Sequence, residues 1–231
     1  MNILAIDTST EIMGIGLING EKVLGEYVTN IKRTHSVRVL AAVRELLDDC
    51  RVTLPEINKV VVTSGPGSYT GLRIGITIAK TLAWTMNIPL SGVSTLQVMA
   101  ASGGKNFGGF IAPVIDARRG NIYSGLYRWN AAGKPEPVLE DRHVSAKEWA
   151  ERLSRYSEQI LFLGYDAAKH EQTFAEVLGE RALFGSLTDH LIRPAELARL
   201  GMEAPAADVH SFTPSYLRLA EAEAKWREKN G

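Results

Sequence analysis

The sequence has a single cysteine, no excess of either charge and no long hydrophobic run. Cys50 has no second cysteine with which to form an intramolecular disulfide, which fits a reducing compartment. The 26 basic side chains balance the 26 acidic ones, so no overall positive field is present to hold a nucleic acid unaided. The sequence has no uninterrupted run of about 18 apolar residues, the length that a membrane span needs. The start, MNILAIDTST, does not resemble a signal peptide, and we expect a cytoplasmic protein.

Several patterns that carry common catalytic chemistry are also missing. The five histidines include no pair at the spacing of about three to five residues that places two metal ligands on one helix face. The glycine-containing stretch over 65–71 lacks the Lys and Ser/Thr of a P-loop. Around Ser68, Pro66 and Thr70 stand where a nucleophile elbow has its two glycines. Neither a catalytic metal nor a serine hydrolase is therefore expected.

What is present is a succession of strand and helix patterns that begins with three strands and a helix. Apolar runs predict strands, and the Asn19-Gly20 dipeptide predicts a hairpin between two of them. Helical spacing after Thr34 or Ser36, either of which would serve as a cap, predicts the first helix. The elements predicted for the first half are strands over 2–7, 12–18, 22–28 and 60–63 and helices over 34–50, 72–86 and 94–101.

The opening pattern recurs after a glycine-rich stretch over 102–109. Residues 110–116 form an apolar run that ends in aspartate, as residues 2–7 do, and two further strand patterns follow over 121–128 and 137–140. Two copies at a period of about 110 residues indicate a duplicated domain, because solenoid repeats are shorter and more numerous. We therefore predict two related lobes, residues 1–103 and residues 104–231.

Polar residues follow three of the predicted strands. An aspartate ends the first strand of each half, and the glycine turn follows the strand over 60–63. Asp7 and Asp116 stand at matching points, where each would either act as a base or metal ligand in the cleft between the lobes or cap its own turn. The glycine turn would either bind a phosphate at a helix start or pack that helix closely on its strand. The residues of this candidate phosphate loop are Asp7, Thr8, Ser9, Gly65, Gly67, Ser68 and Asp116.

The first two predicted helices carry more apolar surface than one core face requires. At about 100° per residue, the apolar positions of the first helix cover roughly 160° of its circumference, against a stripe of roughly 100° for a helix with one buried face. The second helix leaves only a narrow polar strip, and that strip includes Trp84. Either both helices are sandwiched inside one domain, or part of their surface contacts a partner.

Six segments together identify a family. They are ILAIDTS at 3–9, THS at 34–36, SGPGSYTGLRIG at 64–75, GVSTL at 92–96, IDAR at 115–118 and PSYLR at 214–218. In combination they resemble the TsaB family, also called YeaZ, over nearly the whole chain. The resemblance implies an α/β protein with the actin-like, Hsp70-like ATPase fold, which is ribonuclease H-like and has two duplicated lobes with mixed central sheets.

The resemblance also implies a role in modifying tRNA. TsaB proteins are non-catalytic partners of TsaD; with TsaE they transfer a threonylcarbamoyl group from threonylcarbamoyl-AMP to the adenosine beside the anticodon of tRNAs that read codons beginning with A. The chain is thus expected to bind TsaD, to join TsaE in a larger complex, to meet tRNA only through that complex and to form a homodimer in isolation. The contact residues that we predict on the first two helices are His35, Val39, Leu46, Arg73, Lys80 and Trp84.

The same resemblance bears on cofactors and catalysis. The stretch that matches the metal-binding motif of TsaD-like proteins, residues 92–96, contains no histidine, and residues 162–166 are at best a remnant of an adenosine loop. We therefore expect no catalytic residue, metal or cofactor of the chain's own, while a nucleotide at the interface with TsaD is left open. The alternative hypothesis is a stand-alone phosphotransferase or ATPase of the same fold that uses Asp7 or Asp116 as its base.

Overall fold

The computed structural model describes residues 1–31, 35–105 and 107–217. Its first sheet has the strand order β3-β2-β1-β4-β5, in which β1 to β3 are antiparallel and β4 and β5 run parallel to β1. The strands are β1 (Asn2–Asp7), β2 (Ile12–Asn19), β3 (Lys22–Asn30), β4 (Ile57–Gly65) and β5 (Leu90–Ser94). The predicted hairpin is present, and Gly20 in its turn has a positive φ of 56°.

The second sheet repeats this arrangement strand for strand. Its order is β10-β9-β6-β7-β8, with an antiparallel meander followed by two parallel strands. The strands are β6 (Phe110–Arg118), β7 (Asn121–Trp129), β8 (Pro135–Ser145), β9 (Ile160–Leu163) and β10 (Ala182–Phe184). Asp7 and Asp116 stand at equivalent strand ends. The duplication predicted from the recurring pattern is confirmed.

Within the described residues, six α-helices cover the two sheets. They are α1 (His35–Asp49), α2 (Tyr69–Met86), α3 (Thr95–Gly103), α4 (Ala146–Leu153), α5 (Glu171–Leu178) and α6 (Pro194–Glu203), with short 3₁₀ helices at Leu54–Glu56, Tyr165–His170 and Gly179–Arg181. Helices α1 and α2 pack together on one face of the first sheet, and α6 packs on the other. Helices α4 and α5 cover the outer face of the second sheet. No helix within the described residues is long and apolar enough to cross a membrane.

The central strand β1 is buried on both faces, which explains its nearly continuous apolar sequence. Successive side chains of a strand point to opposite faces of the sheet. Leu4 and Ile6 accordingly join the core under α1 and α2, whereas Ile3 and Ala5 join the core on the α6 side. That second core continues between the lobes, where α3 packs on both sheets. The two lobes therefore share one apolar layer.

The chain after β10 returns to the first sheet, although it follows the second sheet in sequence. Helix α6 packs on β1, β2 and β4, and Lys59 donates hydrogen bonds to the carbonyl oxygens of Met202 and Ala204 at its end, at 3.3 and 2.8 Å. Beyond it, the Ala207 N–H donates to the carbonyl oxygen of Leu90, at 2.8 Å. The predicted second lobe, residues 104–231, thus includes a segment that packs on the first lobe, because the apolar side of α6 covers the inner face of that sheet.

The element predictions hold for most of the first half and fail at three places. Strand β5 was not predicted, since it is short and contains Gly92. Helix α3 continues to Gly103, into the stretch interpreted as a linker, and β8 is longer than the predicted residues 137–140. The proposed cap Thr34 lies outside the described residues, as does Arg218 of the last family motif.

Candidate functional site

A cleft of about 880 Å³ opens between the lobes at the ends of β1, β4 and β6. Four residues of the candidate phosphate loop line it: Ser9, Gly67, Ser68 and Asp116. Arg118 and Lys169 of the second lobe line it as well. The structure therefore brings together four of the seven residues of the candidate phosphate loop. Asp7, Thr8 and Gly65 are buried and do not line the cleft.

Asp7 is fully buried and caps the turn that follows β1. Its Oδ1 accepts hydrogen bonds from the N–H of Ser9 at 2.9 Å, from Ser9 Oγ at 2.6 Å and from Thr63 Oγ1 at 2.7 Å. A general base has to come within hydrogen-bond reach of its substrate. The capping interpretation of Asp7 fits this geometry, and the base interpretation does not.

The glycine turn brings the start of α2 against the turn after β1. A Cβ added at Gly71 would lie 2.0 Å from the carbonyl oxygen of Thr8, and one added at Gly67 would lie 2.2 Å from that of Ser9. The Ser68 N–H donates to the Ser9 carbonyl oxygen at 2.7 Å, and the Gly71 N–H donates to Ser68 Oγ at 3.2 Å. These glycines are thus needed for close packing, and two N–H groups at the helix start are engaged within the chain.

Asp116 faces the cleft beside basic residues of the second lobe. Its Oδ1 lies 3.4 Å from Nε2 of His170 and accepts a hydrogen bond from the Arg118 N–H at 3.1 Å, while its Oδ2 lies 3.6 Å from Nζ of Lys169. A hydrogen bond to Asp166, together with the charge of Asp116, raises the pKa of Lys169. Asp116 therefore caps its turn, as the simpler interpretation has it. A phosphate in this cleft would compete with the existing partners of Lys169.

The described residues offer no cluster for a metal ion, and the stretch matched to an adenosine loop is a turn held within the chain. Across residues 1–31, 35–105 and 107–217, no three His, Cys, Asp or Glu side chains come together in a way that could hold a metal ion. In the stretch matched to an adenosine loop, Gly164 has a φ of 98° and its N–H donates to Nδ1 of His190 at 3.2 Å. This turn packs against β6, since an added Cβ would lie 2.5 Å from the Val114 carbonyl oxygen.

A second candidate site lies on the outer surface of α1 and α2, which we call the helix face. It consists of exposed residues that recur along one side of each helix: Val37, Leu40, Tyr69, Arg73, Thr77, Thr81 and Trp84. Trp84 is 66% exposed and Leu40 is 54% exposed. Large apolar and aromatic side chains that stay in solvent on two adjacent helices are typical of a protein interface.

Two of the contact residues predicted on α1 are wrong. Val39 is 0% exposed and Leu46 is 7% exposed, and both pack in the core under α1 and α2. They lie on the side of the helix that turns toward the sheet, with Ala42, Val43 and Leu47. Leu40 lies at one edge of the apolar arc of α1, outside that buried stripe, and Val37 is exposed as well. The side chain of His35, a further predicted contact, lies outside the described part of the chain.

The chain after α6 lies along α2 and borders the helix face; we call residues 208–216 the strap. Lys80, predicted to contact a partner, instead donates to the carbonyl oxygens of His210 and Phe212 at 3.0 and 2.9 Å. The Ser215 N–H donates to the Ser64 carbonyl oxygen at 2.7 Å. Lys80 therefore holds the strap, and its ammonium group is engaged within the chain.

The match to known proteins covers this whole architecture. A family model described as TsaD, tRNA N6-adenosine threonylcarbamoyltransferase, matches residues 22–226. A Bacillus subtilis protein named tRNA threonylcarbamoyladenosine biosynthesis protein TsaB is 50% identical over 228 residues, which cover 99% of each chain. This chain belongs to the TsaB family.

Solved structures agree with that membership and fix the fold of this TsaB-family chain. A Pseudomonas aeruginosa protein described as similar to peptidase YEAZ superposes with a TM-score of 0.79 and 26% identity, over 94% of this chain and 99% of that one. A ROK hexokinase from Thermus thermophilus superposes with a TM-score of 0.50 and 12% identity, over 88% of this chain and 100% of that one. The predicted actin-like fold with two mixed-sheet lobes is confirmed.

Two tyrosines of the TsaB-family chain border the helix face, although the sequence does not indicate them as site residues. Tyr69 and Tyr216 stack with ring centroids 5.3 Å apart, although 147 positions separate them in the sequence. The motif PSYLR at 214–218 marked the region as typical of the family. No short-range pattern could place it on α2, because the contact depends on how α6 returns to the first sheet.

Proposed function

We propose that this chain is an accessory subunit of tRNA threonylcarbamoyladenosine biosynthesis that docks on a TsaD-type partner through the helix face. The observation that carries the proposal is that Leu40 on α1 and Trp84 on α2 are both more than half exposed, on two helices that pack against each other in a TsaB-family chain. Tryptophan is among the residues most enriched at the energetic centres of interfaces. Partner binding would remove its ring from water.

A related chain is a suitable partner for this surface. The TsaD family model matches this chain across both lobes, so a TsaD-type protein is expected to have an equivalent helix pair. Two chains with the same surface can pair about an approximate two-fold axis, as identical subunits do about an exact one. The same geometry supports a homodimer in isolation, in which a second copy occupies the place of TsaD.

The interior of the cleft supports a non-catalytic role. Asp7 is buried among its hydrogen-bond partners, and Asp116 is held next to His170 and Lys169. In this proposal the threonylcarbamoyl transfer takes place on TsaD, with TsaE as a further subunit, and no nucleotide is turned over in this chain's own cleft. The balanced charge supports contact with tRNA only through the complex. The single cysteine fits a complex that works in the cytoplasm.

The proposal predicts a complex without independent turnover. Mixed with a purified TsaD-type protein, the chain is expected to form an equimolar complex in sedimentation velocity, because the helix face supplies a preformed apolar surface. The isolated chain is expected to show no magnesium-dependent ATP hydrolysis above a buffer blank. Sustained hydrolysis by the isolated chain, without any complex, would favour the phosphotransferase hypothesis instead.

A further inference from the structure

The strap orients the guanidinium group of Arg73 on α2 through Tyr216. Arg73 Nε donates a hydrogen bond to the Tyr216 hydroxyl at 3.0 Å, and its Cζ lies 4.1 Å from the ring centroid of Tyr69. Tyr69 in turn stacks on Tyr216, at an interplanar angle of 27°. Two rings and one hydrogen bond therefore orient one exposed arginine, a set of residues that we call the aromatic clamp.

The clamp leaves the other end of the guanidinium group available. The hydrogen bond to Tyr216 uses Nε, and the two terminal nitrogens of Arg73 have no hydrogen-bond or ion-pair partner among the described residues. A planar guanidinium group held in one orientation is well suited to binding a carboxylate through two parallel hydrogen bonds. Because its orientation is already fixed, less side-chain entropy is lost when such a bond forms.

An apolar groove lies directly beside the clamp. It has a volume of about 470 Å³ and is lined by Tyr69, Thr70, Arg73, Ile74, Thr77 and Ile78. All of these residues belong to α2, so successive turns of this helix line the groove. A groove of this kind, with a cation in its lining, fits the apolar side of a helix that also carries an acidic side chain.

The charge of the surroundings indicates the chemistry of the occupant. From Ile57 to Ile115 the sequence contains no Asp or Glu, so α2 itself offers no carboxylate to Arg73. The strap contributes one acidic residue, Asp208, whose carboxylate accepts hydrogen bonds from the N–H of His210 and from Ser211. Among the described residues no carboxylate pairs with Arg73, and in this inference a docked chain supplies one, whose negative charge complements this surface.

We propose that Tyr69, Arg73 and Tyr216 form a recognition site for an acidic side chain on an amphipathic helix of the protein partner, whose apolar side occupies the groove over Ile74 and Ile78. The inference rests on the proposed function and adds to it the strap and the chemistry of the partner helix. It also separates two roles on one surface: Trp84 and Leu40 supply apolar contact, and the clamp selects a partner with a carboxylate at one position.

Substitutions in the clamp test this site through the dissociation constant of the complex with a TsaD-type protein, measured by titration calorimetry. Loss of one charge-assisted pair predicts that Arg73→Ala raises Kd about tenfold to a hundredfold. Arg73→Lys should raise Kd nearly as much as Arg73→Ala, since an ammonium group cannot make two parallel hydrogen bonds to a carboxylate. Tyr216→Phe should raise Kd about threefold, because the ring stack remains but the orienting hydroxyl is lost.

A matched control is available in the second lobe. Arg128 also stacks on a ring, with its Cζ 5.1 Å from the Phe110 centroid, and lies 3.7 Å from a carboxylate oxygen of Glu158. Arg128→Ala should leave Kd unchanged. In double-mutant cycles, each Asp and Glu on the partner's helices is replaced by its amide and combined with Arg73→Ala. One of these carboxylates should be coupled to Arg73 by about tenfold in Kd.

The outcomes distinguish the clamp from the proposed function. If Trp84→Asp abolishes pairing while Arg73→Ala leaves Kd at the wild-type value, the clamp is overturned and the helix face stands. If Arg73→Ala lowers the melting temperature by many degrees without changing Kd, the clamp serves the fold and the inference is overturned too. If neither Trp84→Asp nor Arg73→Ala changes Kd, the proposed docking surface itself is wrong.

Discussion

Replacing Trp84 by aspartate is expected to abolish pairing with a TsaD-type partner and to leave the chain folded. Trp84 is 66% exposed, and its ring meets that of His210 edge-on, at 6.4 Å between ring centroids, so the fold loses little. In the complex, the aspartate that replaces Trp84 would place an unpaired charge against the apolar surface of the partner. Removal of a central aromatic contact and the desolvation of that charge should raise Kd by at least about a hundredfold.

Calorimetric titration measures the Kd of the variant, and a thermal melt of the same sample shows whether it is folded. Leu187→Asp is the matched control, because Leu187 is 77% exposed and lies in the second lobe, away from the helix face. That variant should bind as the wild type does. Wild-type affinity in Trp84→Asp, with a normal melt, would exclude the outer surface of α2 as the docking site.

Leu46→Asp is expected to destabilise the protein strongly, which is the opposite of what its predicted role as a contact residue would require. Leu46 lies in the core under α1, and a Cβ added at Gly25 would lie 2.8 Å from its Cδ1. The substitution removes a buried apolar side chain and buries a carboxylate, at a combined cost of more than about 4 kcal/mol. This is a large fraction of a typical stability of about 5–15 kcal/mol.

The same substitution six positions earlier supplies the comparison. Leu40 is on the same helix and is 54% exposed, so Leu40→Asp should change the free energy of unfolding by no more than about 0.5 kcal/mol. It should nevertheless weaken pairing. Urea unfolding followed by circular dichroism separates the two variants, and equal midpoints for Leu46→Asp and the wild type would show that the assignment of the buried side of α1 is wrong.

The contrast between Leu40 and Leu46 shows what a helical pattern can predict. The apolar arc of α1 correctly indicates that more than one surface is apolar, but it does not say which part faces the sheet. That choice is made by β2 and β3, against which Val39 and Leu46 pack. The sequence therefore predicts the existence of the helix face, and the structure decides which residues form it.

Local and long-range features differ in how well they could be predicted. Strand β1, the hairpin at Gly20 and the turn after Asp7 depend on neighbouring residues, and each is present where its pattern indicates. The roles of Lys80 and Arg73 depend on the strap, which reaches α2 only because α6 packs on the first sheet. Such contacts between distant segments are not visible in any short window of sequence.

The most direct test of the accessory role is tRNA modification in a defined mixture. TsaD-type and TsaE-type proteins, threonylcarbamoyl-AMP and tRNA are combined with and without this chain, and the modified adenosine is quantified by mass spectrometry. We predict that modification requires this chain, that the chain alone modifies no tRNA, and that Trp84→Asp does not restore the reaction. Modification at an equal rate without the chain would contradict its role as a required subunit.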